Sequence, residues 1–192
     1  MIDTSITIIA DRLNQYLKNA FDLTEDVVVV SNILEQDGSI APHVDNKVVV
    51  FLVNIEKDSS VGNRPERRHV GAIRTPSTYP PLRLNLYLMF AANFGGKNYP
   101  ESLKFISNTI SFFQRSPVFD HQMTPELDKR VKKLVLDMEN ISFRDLSSLW
   151  GVLSGKYLPS VLYKVRMLTF DADDVKGAVP VLRETDSSVR GR

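Results

Sequence analysis

The 192-residue chain contains no cysteine. That absence removes disulfide scaffolds, thiolate zinc sites, iron–sulfur clusters and cysteine nucleophiles. An excess of one charge is missing too: 24 lysines and arginines stand against 23 aspartates and glutamates, a net +1. No global field therefore draws the chain onto nucleic acid or an anionic membrane, and neither is expected as a partner. Long apolar runs are lacking as well. The best candidates, Val48 to Val53 and Leu84 to Ala92, are too short and too alternating for the ~20 residues a bilayer span needs. The opening Met1-Ile2-Asp3-Thr4-Ser5-Ile6 carries an acid and no basic flank. It does not read as a secretory signal, so the expectation is a soluble protein folded in the cytoplasm.

What is present is ordinary for a globular protein. Hydrophobic residues make up 43% and charged residues 24%, which excludes a wholly disordered chain. At roughly 100–200 residues per domain this is one domain. A chain of this size buries about 70% of the surface it exposes when unfolded, so it needs no covalent staples.

Apolar periodicity divides the chain into elements. Ile2, Ile6, Ile9, Leu13, Tyr16, Leu17 and Ala20 recur at steps of three and four and predict a helix ending near Phe21-Asp22. Val27 to Val30 is a β-branched run that fits a buried strand. Residues 31–46 form a polar connector with an Asp37-Gly38 turn signal. Lys47 to Glu56 is almost continuously apolar and reads as a central strand covered on both faces. Leu82 to Ala92 alternates strictly, with Leu84, Leu86, Leu88 and Phe90 opposite Arg83, Asn85, Tyr87 and Met89. Gly95-Gly96 ends it, and Tyr99 to Gln114 returns to helical spacing with Leu103, Ile106, Ile110 and Phe113 as its stripe. Pro117-Val118-Phe119 fits a short edge strand, and Val131 to Glu139 a longer one with Leu134, Leu136 and Met138 on one face. Ser142-Phe143-Arg144-Asp145 resembles a capping box that opens a helix through Leu146, Leu149, Trp150 and Leu153, closed at Gly155. A last strand spans Leu158 to Phe170.

The interleaved but not strictly alternating order predicts an α+β (mixed α/β) fold. It would hold a single mixed or antiparallel sheet of about five to six strands, flanked by three helices. Two segments do not fit it. Residues 57–80 hold three prolines and an excess of positive charge, with Lys57, Arg64, Arg67, Arg68 and Arg74 against Asp58 and Glu66. A connection this long is usually functional or disordered, and it reads as a projecting arm. After Phe170 the chain turns acidic and then small and polar, with only Val175, Val179, Val181 and Leu182 able to pack. Residues 171–192 are therefore expected to dock on a neighbouring subunit.

The search for chemistry returns little. There is no G-x-G-x-x-G, P-loop, H-E-x-x-H or nucleophile elbow. His43, His69 and His121 fall in predicted loops, and no pairing of them with Asp45 or Asp120 supplies the three or four converging ligands a metal site needs. Asp171-Ala172-Asp173-Asp174 is only half of a calcium loop, and Trp150 shares the core stripe of its helix. No catalytic residue, cofactor or metal is assigned. The arm arginines suit phosphate or an acidic protein surface. The arm has no repeated aromatic interleaving that would stack bases.

Four stretches carry a specific resemblance. They are Val53-Asn54-Ile55-Glu56, Pro81 through Phe90 (PLRLNLYLMF), Ile110 through Gln114 with Pro117-Val118-Phe119, and Leu149-Trp150-Gly151 continuing through Lys156 to Arg166 (KYLPSVLYKVR). Together they resemble the cap, or tail-terminator, family of phage-tail-like contractile injection systems. The similarity covers about residues 1–170. Some members carry a further C-terminal domain, whereas only the 171–192 tail follows here.

The resemblance implies a structural role and no enzyme activity. The chain would form a ring, expected to be a hexamer, that ends the tube and sheath distal to the baseplate. Its partners would be its own copies together with tube and sheath proteins. It would be cytoplasmic during assembly and then part of the injection particle. The domain reading is thus a terminator-like unit over 1–170 with a tail over 171–192. The expected subunit contacts are Arg64, Arg67, Arg68 and Arg74 of the arm and Val179, Val181, Leu182 and Arg183 of the tail. A baseplate or tube-adaptor component of the same machine is the alternative. A phosphate- or nucleic-acid-binding module built on the 64–74 arginines ranks below both.

Overall fold

In the computed structural model of the chain, the described residues are 1–35, 37–58, 74–76, 83–153, 156–169 and 178–180, with 74–76, 168–169 and 178–180 described through their backbone only. Helix α1 spans Ile2–Phe21 and buries Ile6, Ile9, Leu13 and Leu17, the stripe its spacing predicts. Ala20 lies outside that buried face. The helix ends where Asp22 turns left-handed, at φ 52°. Asn14 then fastens helix to sheet. Its Oδ1 accepts from the amides of Val27 (2.9 Å) and Val28 (3.0 Å), and its Nδ2 donates to Asp26 (2.7 Å).

The main sheet has six strands: β1 (Val28–Val30), β2 (Lys47–Lys57), β4 (Arg83–Asn93), β5 (Val118–Asp120), β6 (Val131–Met138) and β7 (Ser160–Thr169). Their spatial order is β1-β2-β4-β7-β6-β5. Only β1 and β2 run parallel; every other pairing in this sheet is antiparallel. That mixed sheet with three helices is the α+β architecture expected from the element order. The polar connector between β1 and β2 closes at Gly38 (φ +82°), where the Asp37 carboxylate accepts from the Ser39 amide at 2.8 Å.

The alternation of β4 sorts the two faces of the sheet. Leu86, Leu88 and Phe90 are fully buried against α1 and helix α2 (Tyr99–Arg115), with Val48, Val50, Leu134, Leu136, Val165 and Met167 beside them. On the other face, Met89, Ala91 and Leu162 pack under helix α3 (Phe143–Val152) and its buried Trp150. A smaller cluster of Ala41, Val44 and Val49 seats the connector on the same side.

Three details depart from the sequence reading. Strand β2 lies second in the sheet, and only Val48–Val50 are covered on both faces; from Leu52 onward it is mostly exposed. A register shift between Leu52 and Asn54 leaves Val53 as an extra residue, a β-bulge that re-aims the residues beyond it. Helix α2 is rotated from the predicted stripe. Phe113 is buried as expected, but its companions are Ser102, Phe105 and Thr109, while Leu103 is 47% exposed. Met138 also faces solvent, at 53% exposure, unlike Leu134 and Leu136 on its strand.

Candidate functional site

The edges and faces of the main sheet are the surfaces the described residues offer to a partner. Among the described residues no three His, Cys, Asp or Glu side chains converge as metal ligands. His121 Nε2 lies 2.8 Å from the Val131 carbonyl, so that nitrogen carries the proton. His43 occupies a left-handed turn position, φ 68°. Among the described residues, no helix is long and apolar enough to cross a membrane.

The sheet's edges are poor templates for a further strand. At one edge, Asn14 already occupies the amides of Val27 and Val28. At the other, β5 is three residues long, follows Pro117, and ends in a turn in which Asp120 accepts from the amides of Gln122 and Met123, both at 3.0 Å. Short strands and prolines are ordinary ways of blunting an edge.

The face of the sheet beyond α3 is polar. Arg166 of β7 and Asp137 of β6 pair at 2.6 Å. The Tyr87 hydroxyl donates to Glu56 Oε2 at 2.9 Å, and Lys164 sits 5.8 Å from the Tyr87 ring centre. Burial and the neighbouring Glu56 carboxylate push the Tyr87 phenol above its ordinary pKa. Between these groups Asn85 is 6% exposed, and its side-chain oxygen has no hydrogen-bond partner among the described residues.

The segment between β2 and β4 and the segment after β7 start from one end of the main sheet. The arm begins after Lys57 and returns at Arg83; β7 reaches the same end of the sheet, where Leu168 pairs with Arg83. A second, separate ladder is formed by β3 (Arg74–Pro76) and β8 (Ala178–Pro180), which pair antiparallel and set Thr75 opposite Val179. Two segments about a hundred residues apart in sequence are thus joined within one chain. Of the contact residues read from the sequence, the backbones of Arg74 and Val179 fall in this ladder. Arg64, Arg67, Arg68, Val181, Leu182 and Arg183 lie outside the described residues.

Sequence reasoning passed over several exposed apolar side chains. Phe143 (86%) and Val152 (85%) stand at the two ends of α3, and Met123 is 65% exposed. The signal at Phe143 was an aromatic directly after the cap residue, a position that faces away from the core stripe. Trp150, read as core, is 3% exposed and stacks edge-on to Tyr157 at 5.8 Å.

The fold defines a class: an α+β protein with three helices and a curled six-strand mixed sheet, matching tail-terminator structures. The family model described as the Pvc16 N-terminal domain matches residues 5–184, and the chain belongs to that family. No curated protein matches it. Among solved structures, it is similar to the PVC sheath/tube terminator of an extracellular contractile injection system in its extended state. The TM-score is 0.55 at 12% identity, covering 96% of this chain and 63% of that one. The anti-feeding prophage cap, a tube-terminating cap, gives a TM-score of 0.57 at 11% identity, covering 98% of this chain and 61% of that one. At such identities the likeness is one of fold. The chain spans about three fifths of the length of these two structures.

Proposed function

We propose that this chain is the cap of a contractile injection system, terminating its tube and sheath at the end distal to the baseplate. It does so as a ring, with six copies as the expected number, and performs no catalysis. The observation that carries the reading is the match of residues 5–184 to one domain of a terminator family, with the same fold in two tube-terminating structures. The polar sheet face and the joined arm and tail support it. A ladder of two three-residue strands is marginal when isolated, and a neighbouring subunit is the natural source of the missing cover. A ring subunit needs two unlike contact surfaces, because only heterologous contacts close around an axis. The protein would assemble in the cytoplasm and remain in the particle.

Deletion of the gene from its injection system tests the reading, with particles examined by electron microscopy. Loss of a terminator yields particles of uncontrolled length with open distal ends. Blocked initiation, with no sheathed particles at all, would place the chain at the baseplate instead.

A further inference from the structure

We propose that an acidic groove at the end of the sheet opposite the arm receives the arginine-bearing arm of a neighbouring copy. The inference rests on the ring reading above and names the contact that would close the ring.

The groove has a volume of about 570 Å³ and lies where α1 leads into β1 and where β2 begins beside the end of β4. Its floor is apolar: Leu23, Phe94 and Phe105, with the last two rings stacked at 4.8 Å. Four carboxylates rim it, Glu25, Asp26, Asp45 and Glu101, against the single cation Lys47. That cation is already spent, since its ammonium donates to the Asp26 carbonyl. Asp26 is satisfied by Asn14 and Lys18, and Glu101 by Lys104 at 2.7 Å. Glu25 and Asp45 are exposed and make no hydrogen bond or ion pair among the described residues. The groove thus offers two free carboxylates above aromatic rings. That combination suits a guanidinium, which pairs with carboxylate oxygens through its planar fork and lays its aliphatic stem and face on an aromatic surface.

The sequence supplies the complementary group. Residues 57–80 carry Lys57, Arg64, Arg67, Arg68 and Arg74 against only Asp58 and Glu66, three positive charges in excess. The groove's lining carries the same excess of negative charge. The arm springs from the Lys57/Arg83 end of the β2–β4 pair and the groove sits at the Lys47/Asn93 end, separated by about 34 Å at the usual rise of an antiparallel strand. A donor at one end and an acceptor at the other make a head-to-tail contact, the kind that generates rings. A doubled-back arm between Asp58 and Arg83 can reach about 40 Å, enough to cross to the next subunit.

The absence of cysteine makes the test direct. A chain carrying Asp45→Cys together with Arg67→Cys, treated with a short bismaleimide, should give a covalent ladder that ends at the ring's copy number; each single-cysteine variant should give none. Charge reversal supplies the second measurement, read as mass by light scattering. Glu25→Arg with Asp45→Arg, or Arg67→Glu with Arg68→Glu, should reduce the oligomer to monomer. All four changes in one chain should restore it. An oligomer whose mass neither pair alters, with no ladder, overturns the groove contact and leaves the ring reading standing. Groove variants that keep the oligomer but no longer bind purified tube or sheath also overturn it, because the groove then serves another component. A wild-type chain that stays monomeric, together with a double-cysteine chain that gives no ladder, overturns this contact, while the gene deletion independently decides the terminator role.

Discussion

Tyr163 shows how a single residue reports on the packing of the central sheet. It is 3% exposed and meets Phe113 at 4.9 Å and Phe90 at 5.7 Å between ring centres. Burial alone pushes its phenol from 10.0 up to about 12. A folded pKa above the unfolded one means that the unfolded chain loses its proton first as the solution becomes alkaline. The contribution is therefore intact below pH 10 and lost as pH rises toward about 12. Tyr163→Phe should melt close to wild type at pH 7 and above it at pH 11, as followed by circular dichroism. An equal alkaline loss in both proteins would show that the ring is not the cause. Along β7, Val161, Tyr163, Val165 and Met167 alternate with Lys164 and Arg166, which makes the core role of Tyr163 legible in the sequence. Its aromatic neighbours were not, because Phe113 comes from a helix whose rotation no local pattern fixed.

At the scale of elements, α3 depends on its cap. Ser142 Oγ accepts from the Asp145 amide at 3.1 Å and donates to the Asp145 carboxylate at 2.6 Å, so the serine cap read from Ser142-Phe143-Arg144-Asp145 forms, with the carboxylate held by the hydroxyl. Removing such a cap costs about 1 kcal/mol. The chain's only tryptophan, Trp150, sits on this helix and is buried, so fluorescence reads α3 docking directly. Ser142→Ala should lower the urea midpoint of the Trp150 signal by about 0.3–1 M, that cost divided by a typical m-value. An unchanged midpoint would mean that the sheet, and not the cap, sets the helix. Helix α2 shows where local reading stops. Its apolar residues cover more than one face, and the leucine–isoleucine stripe looked the better candidate. Ser102 and Thr109 can enter the core because their hydroxyls donate back to the carbonyls of Tyr99 (2.5 Å) and Phe105 (2.8 Å). Their small size lets the helix approach the sheet, and Phe105 then sits between Phe21, which is tilted against it, and Phe94, which stacks on it, each at 4.8 Å.

For the whole molecule, the main sheet and the arm–tail ladder are separate ladders. Removal of residues 171–192 takes away β8 and leaves all six strands of the main sheet. The truncated chain should keep its melting temperature within about 2 °C, since surface changes away from packed features cost little, yet form a weaker oligomer by light scattering. A collapse of the melting temperature would make the tail part of the core. The element order, the strand faces and the positively charged arm were all set by the sequence, because each depends on residues within a few positions of one another: periodicity, capping spacing and local charge. Tertiary structure alone decided that β1 joins the sheet in parallel, that arm and tail pair across about a hundred residues, and that Glu25, Asp45, Phe94 and Phe105 share one groove. Those are relations between distant segments, and they exist only once the buried faces of the helices and strands have chosen one another.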